Sequence, residues 1–206
     1  MTSDLEGDMS GRALLVALAM AWGCLVPSAG WAAWVTLSEG AGKGPAVQVE
    51  ETVPGVTTVR VRLVGFERQM VDAEGTRFEL ISVPGTGTLR DAGQPELPVV
   101  AVPVLVEGVG EVVAVRVKTR EYAGVMAAPF APRPKRCGGG EWRFVCDTGL
   151  YAQAEPFPET WVKVRQAGTA RGAAAMALEV RPFRYWPAQR RLEVAWEVEV
   201  DLGAGQ

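Results

Sequence analysis

Residues 190–202 read RRLEVAWEVEVDL, and their spacing decides the fold class. Leu192, Val194, Trp196, Val198, Val200 and Leu202 occupy alternate positions, with Arg191, Glu193, Glu197, Glu199 and Asp201 between them. Successive side chains of an extended chain point to opposite faces, so the pattern predicts a long strand with one buried face and one wet face. A helix would scatter the same residues around its circumference.

Working outward, the same period recurs. TTVRVRL places Val59, Val61 and Leu63 inward and Arg60 and Arg62 outward. EVVAVRVKT carries Val113, Val115 and Val117 on one side, and TWVKVRQ and AAMALEVRPFRYW read as further strands. TRFELISV is less regular but rich in β-formers. Between these runs stand the turn signals Pro54-Gly55, Glu74-Gly75, Pro84-Gly85, Ala92-Gly93, Glu107-Gly108, Ala167-Gly168 and Arg171-Gly172. Short strands punctuated in this way predict an all-β fold, an antiparallel, jelly-roll-like β-sandwich forming a single domain over residues 46–206.

The first 32 residues read as a separate element. Ala13–Val26 is an apolar run of signal-peptide length, preceded by Arg12 and followed by Pro27 and the small residues around Gly30-Trp31-Ala32. Pro27 cuts the run short of the roughly 20 apolar residues a spanning helix needs. The acidic residues ahead of it suit a translation start at Met9. An uncleaved anchor, or a lipoprotein through Cys24, are the alternatives. Cleavage leaves residues 33–45 as a flexible new N-terminus, and the product is expected to be exported to the periplasm or beyond, without stable membrane insertion.

Removing this leader takes away Asp4, Glu6, Asp8 and Arg12 and moves the formal charge from −3 to −1. A near-neutral chain lacks the basic excess of a nucleic-acid surface. The sequence contains no histidine, which rules out a Ser-His or Cys-His pair and a His-ligated zinc within the chain. Most Asp and Glu residues alternate with valine, where a solvated face explains them. The glycines of GTGT (85–88) are too few for a phosphate or dinucleotide loop. No cofactor and no independent enzymatic activity are expected. Cys137 and Cys146 remain as a pair in an exported chain, which predicts a disulfide closing a short hairpin-like loop. Without histidine they make a poor metal site.

Two segments depart from simple strand patterning. In GTLRDAGQPELPVVAVPVLV (87–106), Gly93 and Pro95 set a turn, while Pro98 and Pro103 keep the following strand at a sheet edge or mark a bulge. Residues 127–158 form the longest irregular stretch. Pro129, Pro132 and Pro134 remove backbone donors there and favour an extended course outside the sheets.

The motif Gly93-x-Pro95-x-Leu97-Pro98, followed by an apolar strand, resembles the start of the core motif in propeptides of gingipain-type cysteine peptidases. The later landmarks keep the same order: the valine-rich strand at 112–117, Tyr122, Ala128-Pro129, a basic loop, PFPETWVKV, Arg171-Gly172, and a closing strand led by Tyr185 and Pro187. The resemblance implies a secreted β-sandwich propeptide that assists folding and blocks the active site of a peptidase domain, in cis or in trans, absent from this chain. It also implies that a basic side chain from the loop APFAPRPKRCGGG enters the specificity pocket. Counted from Ala128-Pro129, Arg136 takes that position, with Arg133 and Lys135 as neighbours. Cys137 and the three glycines after it depart from the family pattern. The same basic run also reads as a cleavage site or as a merely solvated loop, and the whole chain as a stand-alone secreted β-sandwich interaction module.

Overall fold

In the computed structural model, residues 32–40, 42–106, 110–122, 128–170 and 173–204 are described. The expected leader therefore lies outside the described residues except for Ala32. The strands are β1 (Ala33–Thr36), β2 (Ala46–Val53), β3 (Val56–Arg62), β4 (Gly65–Ala73), β5 (Thr76–Ser82), β6 (Gly87–Thr88), β7 (Pro98–Val106) and β8 (Gly110–Tyr122). They continue with β9 (Lys135–Arg136), β10 (Trp142–Arg143), β11 (Val162–Ala170), β12 (Ala173–Val180), β13 (Phe183–Trp186) and β14 (Arg191–Ala204). One five-residue helix, α1 (Thr148–Ala152), lies between β10 and β11. Among the described residues no helix is long and apolar enough to cross a membrane.

The opening stretch becomes β14, the spine of the larger sheet. Val198 pairs with Val61 of β3 on one side and with Val117 of β8 on the other, so β14 is hydrogen-bonded along both edges. β2 extends the sheet beyond β3, and β13 pairs with the first part of β14. The second sheet runs β11-β12-β7-β6, and a third, smaller sheet runs β1-β4-β5. All of these pairings are antiparallel. Val59, Val61, Val198, Val200 and Leu202 of the first sheet share one core with Val100, Val102, Val104, Met176, Leu178 and Val180 of the second. Fully burying one such side chain stabilises the fold by about 1.5–3 kcal/mol. The fold is the all-β sandwich that the alternation predicts.

Several local expectations change. Residues 33–45 are not uniformly flexible. Ala33–Thr36 pair with Gly65–Arg68 of β4, and Leu37 enters the core, so the folded unit starts before residue 46. Trp196 does not alternate inward as Val194 and Val198 do. A register shift between Ala195 and Glu197 leaves it half-buried, with Ala195 fully buried beside it. An extra residue in one strand of a pair locally re-aims its side chains. Ala167-Gly168 is likewise a bulge inside β11 rather than a turn. The β8 valines are also less buried than their pattern suggests: β8 is an edge strand, and a second register shift, between the Asp201–Ala114 and Leu202–Val112 pairs, leaves Val113 unpaired. Val117 packs against the core, whereas Val113 and Val115 are exposed. The signals at Glu107-Gly108 and Arg171-Gly172 lie outside the described residues.

Pro103 sits where its missing donor is harmless. β6 covers only Pro98 and Val99 of β7, and beyond them β7 is bonded only to β12. Val100, Val102, Val104 and Val106 point into the core from this strand.

Candidate functional site: a clamped basic hairpin

The proline-rich segment after residue 128 is pinned rather than loose. Its prolines offer carbonyls instead of donors, and their neighbours supply the N–H groups. The Glu79 amide donates to the Pro129 carbonyl, and the Ala131 amide donates back to the Glu79 carbonyl, both at 2.8 Å. Phe130 is buried between these bonds, its ring edge-on to Tyr185 with centroids 4.6 Å apart. The Tyr151 hydroxyl donates to the Phe130 carbonyl at 2.8 Å, which ties α1 to the same segment. Burial raises the pKa of Tyr151, and pushes that of Tyr185 up to about 12, so both phenols stay neutral beneath the loop.

A second clamp comes from the turn before β7. The Glu96 amide donates to the Ala131 carbonyl at 2.9 Å, the Arg133 amide to the Gln94 carbonyl at 2.7 Å, and the Gly93 amide to the Arg133 carbonyl at 3.0 Å. The Gly93 carbonyl then accepts from the Asp147 amide at 2.9 Å, so residues 93–96 hold both ends of the excursion. Gly93 is at φ +85°, and a Cβ there would stand 3.1 Å from the Val145 carbonyl oxygen. Both the left-handed conformation and the close approach favour glycine.

Between the clamped ends the chain makes a small hairpin. Lys135 of β9 pairs with Arg143 of β10, and Arg136 pairs with Trp142. The Cys137 amide donates to the Glu141 carbonyl at 2.9 Å, and the Gly140 amide to the Cys137 carbonyl at 3.1 Å. Gly139, third in that turn, is at φ +91°, and Gly140 follows at +88°. The glycine triplet therefore supplies left-handed residues that the tight closure needs.

The three expected basic residues separate. Arg133 is drawn back to the base of the loop, where its Nη1 donates to Glu96 Oε1 at 2.8 Å and to Thr88 Oγ1. Lys135 and Arg136 are exposed on the hairpin, and no ion pair among the described residues involves either. The Arg136 guanidinium lies over the glycine turn, 3.7 Å from where a Cβ on Gly140 would stand.

The expected Cys137–Cys146 disulfide is not formed, and both cysteines are free thiols. The two cysteines occupy different parts of the excursion. Cys137 is hydrogen-bonded across the turn to Glu141, and Cys146 lies three residues beyond the last paired position, Arg143, where the chain turns back toward Gly93. Hydrogen bonds across the turn, rather than a covalent bond, close the hairpin. Burial raises the pKa of Cys146, keeping it a thiol.

Sequence reasoning also missed the partners of this loop. Nothing marks Gly93, Gln94 and Glu96 as contacts of a segment some forty residues later, and β4 and β5, which lie under it, lack a clean alternation. The one usable signal is Glu79, a carboxylate set between Phe78 and Leu80 in the apolar middle of β5. It is buried and ion-paired with Arg68, whose Nε donates to Glu79 Oε1 at 2.9 Å.

Fold and site together define an all-β sandwich carrying a short basic hairpin whose base is held by backbone hydrogen bonds. The chain belongs to the Propeptide_C25 family, whose model matches residues 38–205. It is 27% identical over 145 residues to Lys-gingipain of Porphyromonas gingivalis strain ATCC 33277, and 26% identical over the same length to Lys-gingipain HG66 of that organism. Each match covers 66% of this chain but only 8% of the relative. Among solved structures, one concerned with the zymogenic latency of gingipain K from P. gingivalis matches with a TM-score of 0.65 at 21% identity, covering 84% of this chain and 97% of that one. The complex of P. gingivalis RgpB pro- and mature domains matches with a TM-score of 0.63 at 16% identity, covering 77% and 84%. At these identities the structural likeness establishes the fold.

Proposed function

We propose that this chain is the exported, non-catalytic prodomain of a gingipain-type cysteine endopeptidase, acting as a folding chaperone and an active-site inhibitor. Its leader is residues 1–32, and its partner is the peptidase's catalytic domain, in cis or in trans. Arg136 at the hairpin tip enters an acidic specificity pocket. A guanidinium offers such a carboxylate a planar, two-pronged donor fork. The clamps at residues 93–96 and Glu79 hold the hairpin in place beforehand, which lowers the entropy cost of docking.

The observation that carries this reading is the division of labour between Arg133 and Arg136. Arg133 is paired with Glu96 inside the fold, whereas Arg136 is exposed and has no carboxylate beside it among the described residues. Lys135 shares that exposure but points to the opposite face of the hairpin, opposite Arg143. Titrating the purified full chain into a gingipain-type catalytic domain tests the reading. Inhibition at micromolar or lower chain, together with a higher refolding yield of the peptidase, is the expected result. Unchanged peptidase activity and refolding yield reject it.

A further inference from the structure

The five described tryptophans divide four to one. Trp34, Trp161, Trp186 and Trp196 are half-buried, and each has a cation over its ring. The partners are Lys43 at 5.0 Å, Arg184 at 5.0 Å, Arg191 at 3.8 Å and Lys118 at 5.4 Å respectively. Trp142 is the exception. It is 64% exposed, and no cation among the described residues lies over it. Its place is on β10, directly opposite Arg136 of β9.

Directly opposed residues of an antiparallel pair project from the same face, with Cβ atoms about 4.5–5.5 Å apart. A surface that takes the Arg136 side chain from that face therefore meets the indole of Trp142 as well. We propose that Trp142 is a second docking point of this domain, packing on the peptidase surface at the rim of the pocket that receives Arg136. The proposal rests on the inhibitory reading above and adds to it a residue that sets affinity. An indole offers a large apolar area with only two side-chain torsions to fix, and Trp and Arg dominate binding hot spots. The strongly exposed valines and leucine of β2, β7 and β8 lie on sandwich strands, whereas Trp142 stands on the clamped excursion. The rim of the pocket must accordingly present an apolar or cationic patch, because an indole face attracts both.

The experiment measures the dissociation constant of the full chain for a gingipain-type catalytic domain whose active-site cysteine has been replaced by alanine. Wild type, Trp142→Ala, Trp142→Phe and Arg136→Ala are compared, with thermal melts of each chain alone. Trp142→Ala should weaken binding on the order of tenfold or more. Trp142→Phe should retain most of the affinity, and the melting temperatures should stay together. Acrylamide quenching supplies the second readout. The quenchable emission that Trp142→Ala removes from the free chain should become protected in the wild-type complex. A Trp142→Ala affinity within about twofold of wild type, or an indole still quenchable in the complex, overturns the proposal; loss of binding by Arg136→Ala would then leave the inhibitory reading standing. If Trp142→Ala abolishes self-association of the chain but not peptidase binding, the occupant is a second copy and the proposal is wrong. A wild-type chain that neither binds nor inhibits removes both readings together.

Discussion

The outer face of the larger sheet and the hairpin at residues 135–143 both carry arginine and lysine; Arg143 of the hairpin reaches Glu74 at 3.9 Å, but Lys135 and Arg136 contrast with the cations of the sheet. On the sheet, Arg62 and Lys118 converge on Glu197, while Arg60 and Arg116 converge on Glu199, with Arg116 reaching Asp201 as well. Each of these cations faces a carboxylate one strand away, so the charges tie β3, β14 and β8 together. On the hairpin, Lys135 and Arg136 have no such partner among the described residues, and the rigidity comes from backbone bonds at the base. The contrast teaches that position in the fold, not residue type, separates a structural cation from one available to a partner. Arg133 makes the point within a single loop: three residues before Arg136, it already belongs to the structural class.

The comparison breaks most visibly at Glu197. Its side chain is nearly buried between Arg62 and Lys118, and replacing it with alanine leaves two cations facing each other. Glu197→Ala should lower stability by about 1–3 kcal/mol, measured as a shift in the urea midpoint. The pH dependence points the same way. Hydrogen bonds from Lys118 and then Arg62 hold Glu197 below the ordinary glutamate value of 4.5, and those from Arg60 and Arg116 do the same for Glu199. A carboxylate depressed in the folded state stabilises the fold above its unfolded pKa and loses that contribution as pH falls through its folded pKa. Melting temperature should therefore be flat at neutral pH and fall below about pH 4.5. The fall should be shallower in a Glu197→Gln variant, and an equal slope would remove Glu197 from the network.

A smaller and more local effect is expected at Gly139. Alanine at φ +91° costs on the order of 1 kcal/mol. That strain should open the hairpin without unfolding the sandwich, read as lost amide protection at Cys137 and Gly140 with little change in midpoint. The smallest effects on stability belong to the free cations. Arg136→Ala and Lys135→Ala should each stay within about 0.5 kcal/mol of wild type.

Much of the sandwich was legible because a half-buried strand writes its burial into every second residue. Val59, Val61, Val198, Val200 and Leu202 are inward as their spacing predicts. The rule fails where the backbone leaves the ideal strand, at the Ala195–Glu197 and Gln166–Gly168 register shifts. It fails also in β4, where one deeply buried residue pair, Gly65-Phe66, precedes a run of half-buried side chains. Residues 33–37 looked flexible because a four-residue strand carries too few alternations to register. The candidate loop was located by composition and by resemblance, but its three cations could not be ranked from sequence. What ranks them is the pairing of Arg133 with Glu96, a contact between residues 37 positions apart. The cysteines were paired on spacing alone, whereas the hairpin is closed by backbone bonds and leaves both of them free.

The most direct test is the inhibition constant of Arg136→Ala against a gingipain-type catalytic domain, set beside Arg133→Ala and the control Arg165→Ala on the distant edge strand β11. The account predicts that Arg136→Ala weakens inhibition on the order of a hundredfold with an unchanged melting temperature. Arg133→Ala should lower the melting temperature and weaken inhibition less, and Arg165→Ala should do neither. Equal inhibition by the Arg136→Ala and Arg165→Ala chains would contradict the assignment of the hairpin tip.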